Sequence, residues 1–474
     1  MVFSSVLFLF YFLPAVLILY FLSFQSIRIS NAVLLIASLL FYMFGGLSTF
    51  PLILCSIVLN YVMALLMDLF YKRARKAVLI AGIAGNLSLL FYYKYFNFTI
   101  DIFNRLSSGG IIPFQTVDAR DITLPIGISF FTFQGMSYVI DVYRKDVDVQ
   151  RNIFKVALYI SFFPQLIAGP IVRYSDIRER IDKRTVSLDG VYNGTVRFIF
   201  GLAKKCMIAD ILGEIADGIF SMQTDTLTVS MAWLGAITYS LQIYFDFSGY
   251  SDMAIGLGKI MGFDFPENFN LPYISKTIRE FWRRWHMSLS SWFRDYVYIP
   301  LGGSRKGNVY LHLIIVFLLT GLWHGANYTF VAWGLWHGFF IVAERFAQKR
   351  ISIKFPTVIK HIYTALVVVT GWVMFRSDSI EDAFQFIMVM FGRIGHGYNQ
   401  VNILYYLNGR NVFTLIIAMV IAFGIPGYIY GRLDREKTSK CLNLIKNPFV
   451  VCILIISLMM VVNRNYSPFI YFRF

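Results

Sequence analysis

Two of the six histidines sit in repeated triplets, Trp323-His324-Gly325 and Trp336-His337-Gly338. His324 ends an uncharged run that begins at Val309, just after Asn308. As a helix rising about 1.5 Å per residue, that run carries the imidazole roughly 24 Å from the last strongly polar residue. The hydrocarbon of a bilayer is only about 30 Å thick. A titratable ring at such depth faces a cavity or a bundle interior, which makes His324 the first candidate for a catalytic base. The plainer alternative is a neutral histidine hydrogen-bonded to a neighbouring helix. On one continuous helix the second triplet would face about 220° away from the first. The glycines and Asn327 instead predict a turn between them, and His337 reads as the structural one of the two. Axial haem ligation by paired histidines is the other chemistry open to them, but no attachment motif accompanies them.

The stretch Ile278–Tyr296 is the next candidate. Read as one helix, it gathers Ile278, Trp282, Trp285, Leu289, Trp292 and Tyr296 on one side. Arg279, Arg283, Ser290 and Arg294 fall on another, about 110–150° away. Such a helix is expected to lie at the membrane surface. His286 sits at the boundary of the two faces, where it can reach a cavity, and the arginines suit a phosphate-rich or acidic partner. The loop Tyr298–Gly307 is glycine-rich and basic but carries no nucleotide-binding P-loop pattern. Upstream, Gln242 and Asp246 share a face one helical turn apart, followed by Tyr250, Ser251 and Asp252. Polar groups in so apolar a stretch form either the wall of a reaction chamber or a buried network that locks helices. No GxSxG nucleophile elbow is present, which argues against a stable acyl-serine intermediate.

These residues need a membrane to be embedded in, and the composition supplies one. Hydrophobic residues make up 57% of the 474 and charged residues only 15%, where soluble domains carry about a quarter. Val6–Leu22, Val33–Phe44, Phe50–Met67, Val309–Leu322 and Phe449–Val462 are free of charge. The expectation is an all-α polytopic protein, one domain over residues 1–474 with about a dozen spans. The first span has no cleavage signal and is expected to be retained. The net charge of +16 lies in short clusters between apolar runs, the pattern of cytoplasmic loops rather than of a nucleic-acid-binding domain. Placing those clusters in the cytoplasm puts both termini outside the cell membrane, Phe247–Asn308 on the cytoplasmic side, and a re-entrant segment at Ile153–Val172, where Pro164 and Pro170 interrupt the helix. The weakest span, near 193–213, is broken by Arg197, Lys204 and Lys205. Cys55, Cys206, Cys441 and Cys452 show no metal or disulfide spacing.

Tyr244–Gly258, Phe281–Ser290, Leu301-Gly302-Gly303 and Gly321–Asn327 together resemble the signature blocks of membrane-bound O-acyltransferases (MBOAT). The nearest branch is that of bacterial polysaccharide O-acetyltransferases of the alginate-acetylation type. The likeness runs from Met1–Ser5 through Pro125–Phe130 and Ile167–Pro170 to Gly371-Trp372, most of the chain. It implies an MBOAT-type ring of tilted helices with re-entrant and interfacial pieces around a thin centre. It marks His324 and His286 as catalytic positions and suggests Asp246, Trp285, Arg283, Trp323 and Asn327 as substrate-binding. Eukaryotic relatives usually carry Asn at the position of His286.

The expected reaction carries an acyl group, with acetyl first, from a cytoplasmic thioester (acetyl-CoA or an acyl carrier protein) to an exported cell-surface polysaccharide. No bound cofactor and no metal are expected. An extracytoplasmic esterase-like acetyltransferase is the expected partner, beside the polysaccharide acceptor, membrane lipid and a cytoplasmic acyl-donor protein. The competing readings are D-alanyl transfer for teichoic acid modification, a transporter of acyl or lipid-linked intermediates without chemistry, and a non-catalytic assembly platform.

Overall fold

A computed structural model describes residues 1–111, 114–350, 355–394, 402–426, 428 and 435–463. The extracytoplasmic placement expected for residues 464–474 lies outside the described residues. Every regular element among the described residues is helical, and the chain gathers into two compact units. The first comprises 1–194, 257–266 and 325–327; the second comprises 195–256, 267–324 and 328–474.

The first unit opens with α1 (Leu13–Leu22), α2 (Ile27–Met43), α3 (Phe50–Leu69), α4 (Lys72–Leu90) and α5 (Phe96–Ser108). At its centre lies α6 (Ile128–Arg144), buried almost all round. Gly135 explains how α3 comes so near: a Cβ there would stand 2.3 Å from the Asn60 side chain. Asn60 in turn exchanges hydrogen bonds with Asn86 of α4 (3.1 and 2.8 Å). The expected re-entrant region is two short helices, α7 (Ile153–Ser161) and α8 (Phe163–Leu166), separated at Phe162, with Pro164 in the first turn of α8. Nine residues rise only about 14 Å, too short to cross hydrocarbon. Amphipathic α9 (Tyr174–Asp182) follows.

Toward and within the second unit run α10 (Leu188–Ala203), α11 (Asp210–Phe220) and α12 (Val229–Ile260). The span that looked weakest is helical throughout, with a π-helical turn at Lys204–Ala209 joining α10 to α11. Its charges point at α12. Gly201 and Gly249 let the two backbones touch, since a Cβ on either would lie 2.5 or 2.7 Å from the other's carbonyl oxygen. Flanking that contact, Lys204 reaches Asp252 (2.6 Å) and Lys205 reaches Asp246 (2.9 Å). Helix α12 runs unbroken to Ile260, carrying Gln242, Asp246, Ser251 and Asp252 on one element, with Asp246 and Asp252 paired inside the protein.

The expected continuous helix over Ile278–Tyr296 is also corrected. It is α13 (Ile278–Arg284) and α14 (Met287–Phe293), broken at His286, whose φ of +41° lies in the left-handed region. Its aromatic face is not a surface anchor: Trp282, Trp285, Trp292 and Tyr296 are all buried in protein. Next come α15 (Val309–His324) and α16 (Tyr328–Arg350), which pack closely against each other. A Cβ at Gly321 would sit 2.2 Å from the Phe330 carbonyl oxygen, and one at Gly334 2.4 Å from that of Phe317. Small residues that let backbones meet are how helices bind in lipid, where apolar surface alone gives no drive. The chain continues with α17 (Thr357–Arg376), α18 (Ile380–Met390), α19 (Gly409–Ala422) and α20 (Arg435–Asn463).

Four helical stretches are long and apolar enough to cross a membrane, namely Leu47–Leu69, Lys72–Ser108, Thr357–Arg376 and Ile445–Asn463. Phe8–Leu22, Ile27–Met43, Val309–His324 and Gly409–Ala422 are shorter apolar helices. The glycine contact between α15 and α16 gives a direct test. Gly321→Val should abolish a monodisperse size-exclusion peak, whereas Gly409→Ala, which meets nothing within 4 Å, should leave yield unchanged. Equal yields for the two variants would show that the close approach is dispensable.

Candidate active site

His324 ends α15 and is 3% exposed. Its ring is enclosed by Trp323 (4.9 Å between centroids), Trp333 of α16 (5.1 Å) and Phe375 of α17 (5.2 Å). The His286 ring lies 6.5 Å away. Two histidines widely separated in sequence are therefore brought into one aromatic cluster. Edge-on contacts of this kind exploit the positive rim of one ring and the negative face of another.

His286 is fully buried, with Phe247 of α12 edge-on at 4.6 Å and Trp323 at 5.8 Å. Sequence reading missed its principal partner, Asn268. The Asn268 Oδ1 lies 3.1 Å from His286 Nδ1 and 2.9 Å from the Ser288 hydroxyl. The Asn268 amide nitrogen donates to Ser251 of α12 (3.0 Å). Met287 N–H donates to the Asn268 carbonyl (2.9 Å), which pins the strained turn to the neighbouring strand of chain. Asn268 looks like an ordinary loop asparagine in Glu267-Asn268-Phe269, so no local signal marks it.

A cavity of about 460 Å³ opens beside this chamber. Arg279, Arg283, Arg294 and Arg345 contribute the charge, and Trp282, Phe317 and Thr320 the inner wall. Thr320 lies one helical turn before His324 on the same face of α15. The cavity thus joins an arginine-rich surface to the face of α15 that carries Thr320. Glu344 of α16, another residue that sequence reading missed, fixes that mouth: its carboxylate accepts from the N–H groups of Ile278 (2.6 Å) and Arg279 (3.2 Å). An acidic group at a helix start satisfies donors that have no intrahelical partner.

The remaining candidates are placed as follows. Arg283 is exposed at the cavity mouth. Trp285 is buried against Trp372 (4.7 Å), Phe269 (5.0 Å) and Phe281 (5.5 Å). Trp323 touches both His324 and His286. Asp246 is 1% exposed and pairs with Lys205, which also reaches Asp210 (2.8 Å). Asp252 accepts from Lys204 and Arg197. Asn327 is half-buried and belongs to the first unit. His337 is fully buried among Phe281, Trp282 and Trp333, and Gly371 leaves it room, since a Cβ there would lie 2.8 Å from its Nε2. Trp333 touches both His324 and His337.

The profile of the MBOAT, membrane-bound O-acyltransferase family, matches residues 144–380. The chain is 41% identical to "Probable alginate O-acetylase AlgI" of Pseudomonas putida over the full length of both. It is 33% identical to the "Peptidoglycan O-acetyltransferase" of Helicobacter pylori, covering 100% of this chain and 98% of that one. The "Teichoic acid D-alanyltransferase" of Bacillus subtilis is 32% identical over 47% of this chain and 60% of its own.

The buried triad of Lys205, Asp210 and Asp246 can be tested separately from the chamber. Lys205→Met leaves two carboxylates buried without that cation, a change that costs about 3–5 kcal/mol. The apparent melting temperature of the purified protein should fall sharply, and Lys205→Met with Asp210→Asn and Asp246→Asn should recover most of it. An unchanged melting temperature in the single variant would dismiss the triad as a stabilising element.

Proposed function

The chain belongs to the membrane-bound O-acyltransferase family, and from that premise we propose how its residues divide the work of O-acetylating an exported polysaccharide. It is a multi-pass membrane protein and an O-acyltransferase. The relatives named for alginate and peptidoglycan acetylation align along essentially the whole chain. The D-alanyl relative aligns over less than half of it. That contrast favours acetyl as the group transferred to a cell-surface polysaccharide.

The observation that carries the mechanism is the buried His324–His286 pair, with an arginine-lined cavity whose wall includes Thr320, one helical turn before His324. The donor is a thioester, acetyl-CoA or an acyl carrier protein, and its phosphate groups suit Arg279, Arg283 and Arg294 at the mouth. Its acyl end passes Thr320 toward His324. A thioester carbonyl is already activated, so the protein has to position it, exclude water and remove a proton. His324 accepts the proton of the attacking hydroxyl as the C–O bond forms. The C–S bond then breaks and the thiol leaves with a proton. Trp323, Trp333 and Phe375 keep the chamber dry, and Trp285 backs the wall that carries His286. Asp246, held by Lys205, fixes α12 behind the chamber, and Asn327 follows His324 at the turn where the acceptor arrives.

The arginine mouth faces the cytoplasm in this reading, with both chain termini outside the cell membrane. The hydroxyl belongs to the polysaccharide or to an extracytoplasmic esterase-like acetyltransferase that completes the transfer. A transporter without chemistry accounts for the cavity but gives no role to two histidines brought into one chamber.

His324→Ala should keep its normal membrane level and lose polysaccharide acetylation by about 10²–10⁴-fold, the usual contribution of a general base. Unchanged acetylation would sink the mechanism. Arg283→Ala should raise KM for the thioester about tenfold with little change in kcat, because the arginine holds donor and transition state alike. A kcat loss at constant KM would move Arg283 out of the donor mouth.

A further inference from the structure

Asn268 makes contacts that decide which nitrogen of His286 carries the proton. The backbone N–H of Ser288 points at the Asn268 side chain and lies 3.3 Å from Oδ1. A backbone N–H can only donate, so the asparagine must present its oxygen on this side and not its NH₂. The Ser288 hydroxyl donates to the same oxygen at 2.9 Å. On the opposite side the NH₂ donates to Ser251 at 3.0 Å, which the reverse orientation would forfeit. The amide is thereby fixed at both ends.

The same Oδ1 lies 3.1 Å from His286 Nδ1. An amide oxygen has only lone pairs to offer, so an unprotonated Nδ1 would oppose lone pair to lone pair. Nδ1 therefore bears hydrogen. In a neutral imidazole that leaves Nε2 with a lone pair, and hydrogen bonding at one ring nitrogen sets the state of the other. Nε2 is buried and has no hydrogen-bond partner among the described residues. The backbone contributes to the same end. His286 stands at φ +41°, held by Met287 N–H on the Asn268 carbonyl (2.9 Å) and by Ser290 N–H on its own carbonyl (3.0 Å). Asn268 thus grips the strained turn by its main chain and the imidazole by its side chain.

We propose that Asn268 is a positioning residue that locks His286 as the Nδ1–H tautomer, so that Nε2 meets the substrate as a hydrogen-bond acceptor. A neutral ring in this state has no proton at Nε2 to place on a thioester oxygen. His286 therefore does not polarise the acyl carbonyl; it accepts from an O–H or N–H of a substrate beside His324. The step that breaks the thioester is unchanged, and His286 neither gains nor loses a proton overall. The assignment of substrate rests on the acyl-transfer reading above, whereas the tautomer does not.

The test uses the full-length protein labelled with ¹⁵N-histidine in lipid nanodiscs, with the His286 signals assigned by their loss in His286→Gln. A protonated Nδ1 and a bare Nε2 in the wild-type protein are expected. A protonated Nε2 with a bare Nδ1, or a doubly protonated ring, overturns the proposal without any need for turnover. In thioester-dependent acetylation, Asn268→Ala should lower kcat about ten- to a hundredfold with KM for the donor within twofold. Asn268→Asp keeps an acceptor oxygen on Nδ1–H and should restore both the tautomer and a substantial part of kcat. Wild-type kcat in Asn268→Ala, or no difference between the alanine and aspartate variants at equal folded yield, also overturns it. Loss of the acyl-transfer reading would appear instead as absent acetylation by the wild-type protein, with the nitrogen signals still deciding the tautomer.

Discussion

Hydrocarbon offers no water to an unpaired polar group, and each such group costs several kcal/mol there. The second unit is built around that constraint. Its interior holds Asp210, Asp246 and Lys205 and four buried histidines, with Asp252, Lys204 and Arg197 partly buried beside them. Lys205 answers Asp246 and Asp210, while Arg197 and Lys204 answer Asp252. These pairs are possible only because α10 and α12 touch at Gly201 and Gly249. A methyl group on either glycine would separate the backbones and strand the charges. The ion pairs in turn hold α12 where Phe247 meets His286 and Ser251 meets Asn268. Electrostatics far from the chamber therefore sets the position of its wall.

The chamber applies the opposite rule. Around His324 the neighbours are rings, and the contacts with Trp323, Trp333 and Phe375 give enclosure rather than charge. An apolar box of this kind excludes water from the ring it encloses. The box exists because α15 and α16 approach at Gly321 and Gly334, bringing Trp333 up to the histidine. Arginines stay outside at the mouth, where their charge recruits without having to be buried.

How much of this was legible in the sequence follows from which forces are local. The apolar runs and the polar band around Asp246 are properties of contiguous residues, and each was readable. The family blocks joined them into a site. The break at His286 was not readable, because Trp285-His286-Met287 contains no glycine or proline to announce a left-handed turn. The left-handed φ is imposed by Asn268, far back in the chain and unremarkable by type. The pairing of the acids on α12 was hidden for a related reason. Asp246, Ser251 and Asp252 lower local hydropathy as a loop would, and the cations that make them tolerable stand some forty residues earlier. Lys204-Lys205 inside an apolar stretch was the available signal. A cation buried as Lys205 is requires buried anions, and Asp210 and Asp246 supply them.

Strain and chemistry coincide at one turn, and the coincidence has a reason. A non-glycine residue is placed at positive φ only where surrounding contacts overdetermine it. Here they come from a single asparagine that bonds the next residue's N–H and the ring itself. A relaxed helix through 278–296 would have carried His286 along the helix surface with a mobile ring. Breaking it turns the ring inward, toward His324, and fixes its rotation. The two imidazoles lie with centroids 6.5 Å apart. The strained turn thus converts a histidine that would otherwise be packing into half of a recognition pair.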